Sequence, residues 1–168
     1  MLSYNLNLIN LEQIVTHVRH RGYMSGIDRD TLRVKATSEV FTPTDEVQTT
    51  LDKIPKKQFT DPAKTFLDNS CGDGQFLSEV LIRKIENGST FEQALQTIYG
   101  VDLMPDNVKL CQDRVLCGKE DLRHIVEQNI VCADALRYHY RFDGSHPYDD
   151  EVKAKETEDR FHSLFTFE

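Results

Sequence analysis

A strand that runs into a glycine turn and at once into a helix constrains this chain more than any other feature. Phe66 to Leu77 reads FLDNSCGDGQFL: an apolar run ends at Asp68, a Cys-Gly-Asp-Gly turn follows, and apolar residues then recur at helical spacing. The pattern predicts a short strand in TFLDNS and a helix from Gln75 to Glu86 that buries Phe76, Leu77, Val80, Leu81 and Ile85 and stops at Asn87-Gly88. The same order repeats downstream. STFEQALQTI starts a short helix with Ser89 three residues before Glu92, a capping-box spacing. IYGVDL reads as a second strand, MPDNVKLCQDRVL as a helix with Pro105 in its first turn, DLRHIVEQ as another helix and NIVCADAL as a third strand. Strands alternating with helices imply a three-layer α/β fold with a parallel sheet and right-handed crossovers. Ligands in such folds sit at the carboxyl ends of the strands, which sets Asp68, Asp102 and Asp134 along one rim.

The flanks are less regular. Residues 5–20 carry Leu8, Leu11, Ile14, Val15 and Val18 at helical spacing, and RGYMSGIDRDTL reads as a loop or short helix. Pro43 biases Thr42 away from helix, and Pro43-Thr44-Asp45 offers start signals for a helix carrying Val47 and Leu51. IPKKQFTDPAK is polar and proline-bearing, hence a connection. Beyond Leu136 the periodicity collapses. The expected division is an N-terminal helical segment over 1–35, a ligand-binding α/β domain over 36–143 and an acidic tail over 144–168.

Charge and composition narrow the partners. The net charge of −8 opposes generic attraction to a phosphate backbone. From Asp149 to Glu168 seven acids face three bases, so half of the surplus lies in the last twenty residues. Basic residues gather in HVRHRG and RDTLRVK, which leaves room for a local basic face. No apolar run approaches the roughly 18 residues of a membrane span, and MLSYNLNLINLEQ does not read as a secretory signal. Cys71, Cys111, Cys117 and Cys132 show neither CxxC pairing nor a disulfide framework, so reduced thiols in a cytoplasmic setting and no zinc are expected. The six histidines form no i,i+4 metal pair, and Tyr138-His139-Tyr140 reads as a half-buried patch.

Each rim residue has two readings. Gly72 and Gly74 allow positive φ and close approach of a ligand, and the turn delivers the chain to a helix N-terminus that favours an anion; glycine pairs in plain turns are also common. Asp102 can accept two hydrogen bonds from a ribose diol or act as a helix-start acid before MPDNV; its spacing from the glycines exceeds the usual 20 or so residues because a helix is inserted. Asp134 can accept from an adenine amine or stand solvated at a strand end. CGDGQF lacks the G-K-[ST] of a phosphate loop and is no full G-x-G-x-x-G, which disfavours nucleoside triphosphates and NAD. Cys71 has no His or Asp neighbour in sequence to activate it as a nucleophile.

Taken in order, EVFTPTDEV, FLDNSCGDGQFL, YGVDLMPDN and VCADAL resemble the S-adenosyl-L-methionine-binding half of amino-group DNA methyltransferases, nearest to the adenine-N6 enzymes of restriction–modification systems. The likeness spans Ala36 to Leu136. It implies a truncated Rossmann-like (class I) methyltransferase fold with S-adenosyl-L-methionine as cofactor. Phe41, Thr42 and Pro43 would form one wall of the pocket. Asp68, Cys71, Gly72, Gly74, Phe76 and Leu77 match the opposite wall, with Asn69-Ser70 in place of the usual Pro-Ala. Asp102 and Leu103 match the ribose and adenine contacts, and Asp134 and Ala135 the adenine-amine contact.

The family's catalytic (N/D/S)-P-P-(Y/F) loop, which follows a fourth strand and stacks a flipped base, has no full counterpart. Its nearest candidate is Ser145-His146-Pro147-Tyr148, where Ser145, Pro147 and Tyr148 match and His146 departs. The preceding RYHYRFDG is not the apolar run of a buried parallel strand. The expectation is therefore a cofactor-binding chain that needs a second, catalytic and DNA-reading chain, or a homo-oligomer. The alternative is an inactive methyltransferase-like module for interaction or anti-restriction. A three-stranded half-fold leaves an open edge, so pairing of that edge by FHSLFTFE or by another chain is also expected.

Overall fold

The computed structural model of the chain describes residues 10–20 and 42–148. Three short strands form a parallel sheet in the order β1-β2-β3: β1 is Phe66–Asp68, β2 is Ile98–Asp102 and β3 is Ile130–Cys132. Helices precede and separate them: α1 Leu11–His20, α2 Thr44–Leu51, α3 Lys57–Thr60, α4 Gln75–Glu86, α5 Phe91–Leu95, α6 Pro105–Leu116 and α7 Arg123–Asn129. The α/β class and the helix over Gln75 to Glu86 are as the sequence predicts.

The register pairs Phe66 with Ile98, Asp68 with Gly100, Gly100 with Ile130 and Asp102 with Cys132. Paired residues point to one face, and on that face Ile98, Ile130 and Phe66 join Leu77, Leu81, Cys111, Val115 and Val126 from the helices in the main core. Helices α4 and α6 touch the sheet, and α1 packs on both of them. The other face carries Val101, Val131 and Ala133, which pack against Tyr138, Tyr140, Phe142 and Tyr148 from the chain after β3. Tyr99 meets Phe142 there, with ring centroids 4.8 Å apart. Among the described residues an aromatic segment, not a helix, covers this second face.

Two local expectations shift. The capping box belongs to Thr90 and Gln93 instead of Ser89 and Glu92: Thr90 Oγ1 accepts from the Gln93 amide at 3.2 Å, and Gln93 Oε1 from the Thr90 amide at 2.9 Å. The reason lies one helix earlier. Gly88 takes φ +103°, its amide donates to Ile85 O, and the Ser89 amide donates to Lys84 O, so Ser89 is committed to closing α4 and the next helix starts one residue later. The stretch read as a plain connection contains α3, whose Phe59 is buried and stacks on Phe66 at 5.0 Å. A lone apolar residue in a polar run has no periodicity to betray it.

Lys84 anchors the approach to β1. It is fully buried, and its ammonium donates to Lys64 O at 2.6 Å and Pro62 O at 3.3 Å, which holds the preceding turn against α4. Burial lowers its pKa.

Candidate functional site at the strand ends

The three strand ends open onto a cleft of about 500 Å³, within the size range of small-molecule sites. The register makes the acids a staircase: Asp68 lies level with Gly100, Asp102 two residues further along β2, and Asp134 two residues beyond Cys132, the partner of Asp102. All three line the cleft, with Thr42, Cys71, Gly72, Phe76, Leu103 and Ala135. The structure thus brings together nine of the thirteen residues matched to the cofactor pocket. Of the other four, Pro43 is the N-cap of α2, Gly74 lies behind the turn, Leu77 is buried in the main core, and Phe41 falls outside the described residues.

Glycine is required at two places. Gly74 takes φ +88°, and a Cβ there would lie 2.8 Å from Cys111 Sγ. Gly100, in the middle of β2, would place a Cβ 2.9 Å from both Cys71 Sγ and Leu77 Cδ1. Its bare backbone lets the turn and α4 settle onto the sheet, the close approach that a glycine inside a strand signals. Because Gly74 is the N-cap, no side chain caps α4, and that helix start lies at the cleft wall formed by Gln75 and Phe76.

Asp102 combines both roles the sequence allows. Its Oδ2 accepts from the Gly72 amide at 3.0 Å, while Oδ1 accepts from the Met104 amide at 2.9 Å and Asn107 Nδ2 at 3.2 Å. The carboxylate ties the glycine turn to the start of α6. A carboxylate offers about four acceptor positions, so one remains, on Oδ2. Asp68 Oδ1 accepts from the Ser70 amide, and Asp134 Oδ1 from the Leu136 amide. Burial raises the Asp68 pKa, the Ser70 amide opposes that, and the Asp102 charge adds to the rise.

Beneath the turn lies a polar layer that sequence reading missed. Asp73 and Gln75 both line the cleft and are buried. Arg114 of α6 faces Asp73 Oδ1 at 3.3 Å, donates to Gln75 Oε1 at 3.0 Å, and reaches Val18 O at the end of α1 through Nε and Nη2 at 3.1 and 2.9 Å. Asn107, in the first turn of α6 and buried, was also missed; its helical spacing from Cys111 and Arg114 on the buried face was the available signal. The Cys71 thiol is pushed up by its hydrogen bond with Cys111, by burial and by the neighbouring acids, which disfavours a thiolate nucleophile.

Ser145, Pro147 and Tyr148 do not line the cleft, and no fourth strand precedes them among the described residues. Tyr148 approaches from the aromatic face instead: its hydroxyl accepts from the Asp134 amide, and the Arg137 guanidinium lies 5.3 Å from its ring centre. Among the described residues no three of His, Cys, Asp and Glu gather as a metal-binding group, and no helix is long and apolar enough to cross a membrane. Comparison with protein-family profiles, curated proteins and solved structures yields no match to this chain.

Proposed function

We propose that this protein binds S-adenosyl-L-methionine at the strand ends, as the cofactor-holding part of an adenine-N6 DNA methyltransferase-like protein. The observation that carries the reading is the convergence of Asp68, Asp102, Asp134, the glycine turn and Thr42 on one cleft, although they are spread over more than ninety residues of chain. The parallel order β1-β2-β3 is what half of a Rossmann-like methyltransferase sheet would supply.

The residues present fit the cofactor's groups. The remaining acceptor position of Asp102 suits one ribose hydroxyl, and the second hydroxyl requires Asn107 to give up its long bond to Oδ1. The Asp134 carboxylate suits an adenine amine, with Leu103 and Ala135 offering apolar surface beside it. The uncapped start of α4 suits the carboxylate of the amino-acid end. The cofactor, when bound, supplies a sulfonium methyl group for transfer to an amine. The protein's part in that is to position and desolvate it.

Transfer to DNA belongs to this proposal only with a second chain or a second copy that brings the base-stacking loop and DNA reading. A second reading draws on Tyr148: an aromatic ring packed under Arg137 and bonded to the Asp134 backbone is committed to the fold and not displayed for a base. On that reading the chain holds cofactor without transfer and acts as an interaction or anti-restriction module.

Calorimetric titration with S-adenosyl-L-methionine is the test. Saturable binding is expected, and Asp102→Ala should weaken it by at least about 1 kcal/mol, the worth of hydrogen bonds to a charged acceptor. The same substitution should lower Tm, because it frees Gly72 from α6. Unchanged affinity removes Asp102 from the site, and no binding at all refutes the proposal. Labelled-methyl transfer to DNA, with and without a partner chain, then separates the two readings.

A further inference from the structure

Gln75 is the first residue of α4, and its amide has only one way to sit. It is 5% exposed and lines the cleft, and its Oε1 accepts from Arg114 Nη2 at 3.0 Å. A guanidinium donates and never accepts, so the oxygen of the Gln75 amide must be the atom that faces it. The nitrogen is thereby turned away from Arg114. Among the described residues Nε2 has no hydrogen-bond partner, and it is not one of the sealed polar atoms of the interior. Arg114 itself is held in place. Its Nε and Nη2 donate to Val18 O at 3.1 and 2.9 Å, and Nη1 faces Asp73 Oδ1 at 3.3 Å in a pair whose side chains are 4% and 1% exposed. A buried glutamine with its oxygen engaged and its N–H groups spare calls for an acceptor in the cleft.

We infer that Gln75, oriented by Arg114, is the side chain that recognises the carboxylate of the guest's amino-acid end. The inference rests on the proposed cofactor reading and deepens it. Neither residue is among those that the methyltransferase likeness matches. The spare donor stands beside others: Gly74 gives α4 no side-chain cap, and Ser78 is the first residue of the helix whose amide bonds back, to Gly74 O. Together the amide side chain and the open first turn make a donor set for one carboxylate, distinct from the acids that face the ribose and the adenine amine. Arg114 is a positioning residue. It acts by fixing which end of the Gln75 amide faces the cleft, and its charge offsets that of Asp73, so the wall beside Gln75 does not repel an anion.

The experiment is calorimetry on the full chain with S-adenosyl-L-methionine and its decarboxylated form, which differ only in that carboxylate. The wild type should bind the intact form more tightly. Gln75→Glu keeps an oxygen for Arg114, so Tm should hold. It replaces the donor with an acceptor, so the preference should contract at least about tenfold, the worth of a hydrogen bond to a charged group. Gln75→Met removes the donor without adding charge and should contract the preference several-fold, which decides the matter should the glutamate variant fold poorly. Arg114→Lys keeps a positive charge near Asp73 but loses the planar fork, and the preference should contract there too. Equal weakening of both guests in that variant would show a merely structural arginine and overturn its positioning role. An unchanged preference in the Gln75 variants, or a wild-type preference for the decarboxylated form, overturns the inference and leaves the cofactor reading standing. Silence from both forms with the wild type overturns the cofactor reading, and this inference with it.

Discussion

At Asp68 the cost of gathering acids is visible on one side chain. Its pKa is raised because burial and the Asp102 charge outweigh the Ser70 amide, so the folded protein holds that proton more tightly than the unfolded chain. Stability from this group therefore falls as pH climbs from the ordinary carboxylate range through the raised pKa. A cation seated beside it acts the other way and draws the proton off. Around Asp68 stand Asp102 from β2 and the thiol of Cys71, which brings no positive charge. Affinity for a sulfonium guest should accordingly rise with pH across that window and level off above it, read by calorimetry at a series of pH values. Asp68→Asn should remove that part of the dependence. A wild-type profile that superimposes on the variant's would show that Asp68 does not titrate against the guest.

Helix α1 meets the site through one arginine. Arg114 satisfies the last-turn carbonyl of Val18 and, on its other edge, Asp73 and Gln75 of the glycine turn, linking residues 96 apart in the chain. Removing one partner of a buried charged network costs about 3–5 kcal/mol, because the charge left behind has lost its compensation. Arg114→Met should lower stability on that scale and speed hydrogen exchange over residues 11–20, where Val18 loses its acceptor role. By contrast, Arg123 bridges Glu120 and Asp113 in the open, where ion pairs contribute little. The elements themselves were largely legible: α4 from its apolar spacing, α6 from Pro105 at its first position, α2 from Pro43-Thr44-Asp45. Two were read imperfectly, for identifiable reasons. A Schellman closure moved the start of α5 by one residue, and α3 exists because Phe59 finds Phe66 across the fold.

Across the whole molecule, the sheet is covered unequally. Helices pack on the face of Ile98 and Ile130, and the aromatic segment after β3 covers Val101 and Ala133 on the other. Tyr138 centres that cover: it is buried, stands edge-on to Phe142 at 5.4 Å, and accepts from the Phe142 amide at 2.9 Å. Near the carboxyl rim Leu67, Leu103 and Leu136 remain 53%, 62% and 96% exposed. Tyr138→Ala should cost about 3 kcal/mol, as large aromatic truncations in a core do. It should also promote self-association, seen as earlier elution on size exclusion, because it bares the face of a small sheet. An unchanged Tm would mean that the cover contributes nothing to the fold. The tail residues thought to pair the open edge, and the N-terminal residues before Asn10, lie outside the described residues.

The sequence by itself determined the order of strand, glycine turn and helix, the placing of three acids at strand ends, and the glycines that the turn requires. These follow from periodicity and local sterics, which act over a few residues and are written in consecutive letters. Tertiary structure alone decided that Asp102 braces the glycine turn, that Arg114 underpins it from another helix, and that Tyr148 packs on the sheet face away from the helices. Those contacts join residues 14 to 96 positions apart. They depend on where packing brings distant helices and turns, and three-residue strands such as β1 and β3 are too short for any repeat to announce which face each side chain will take.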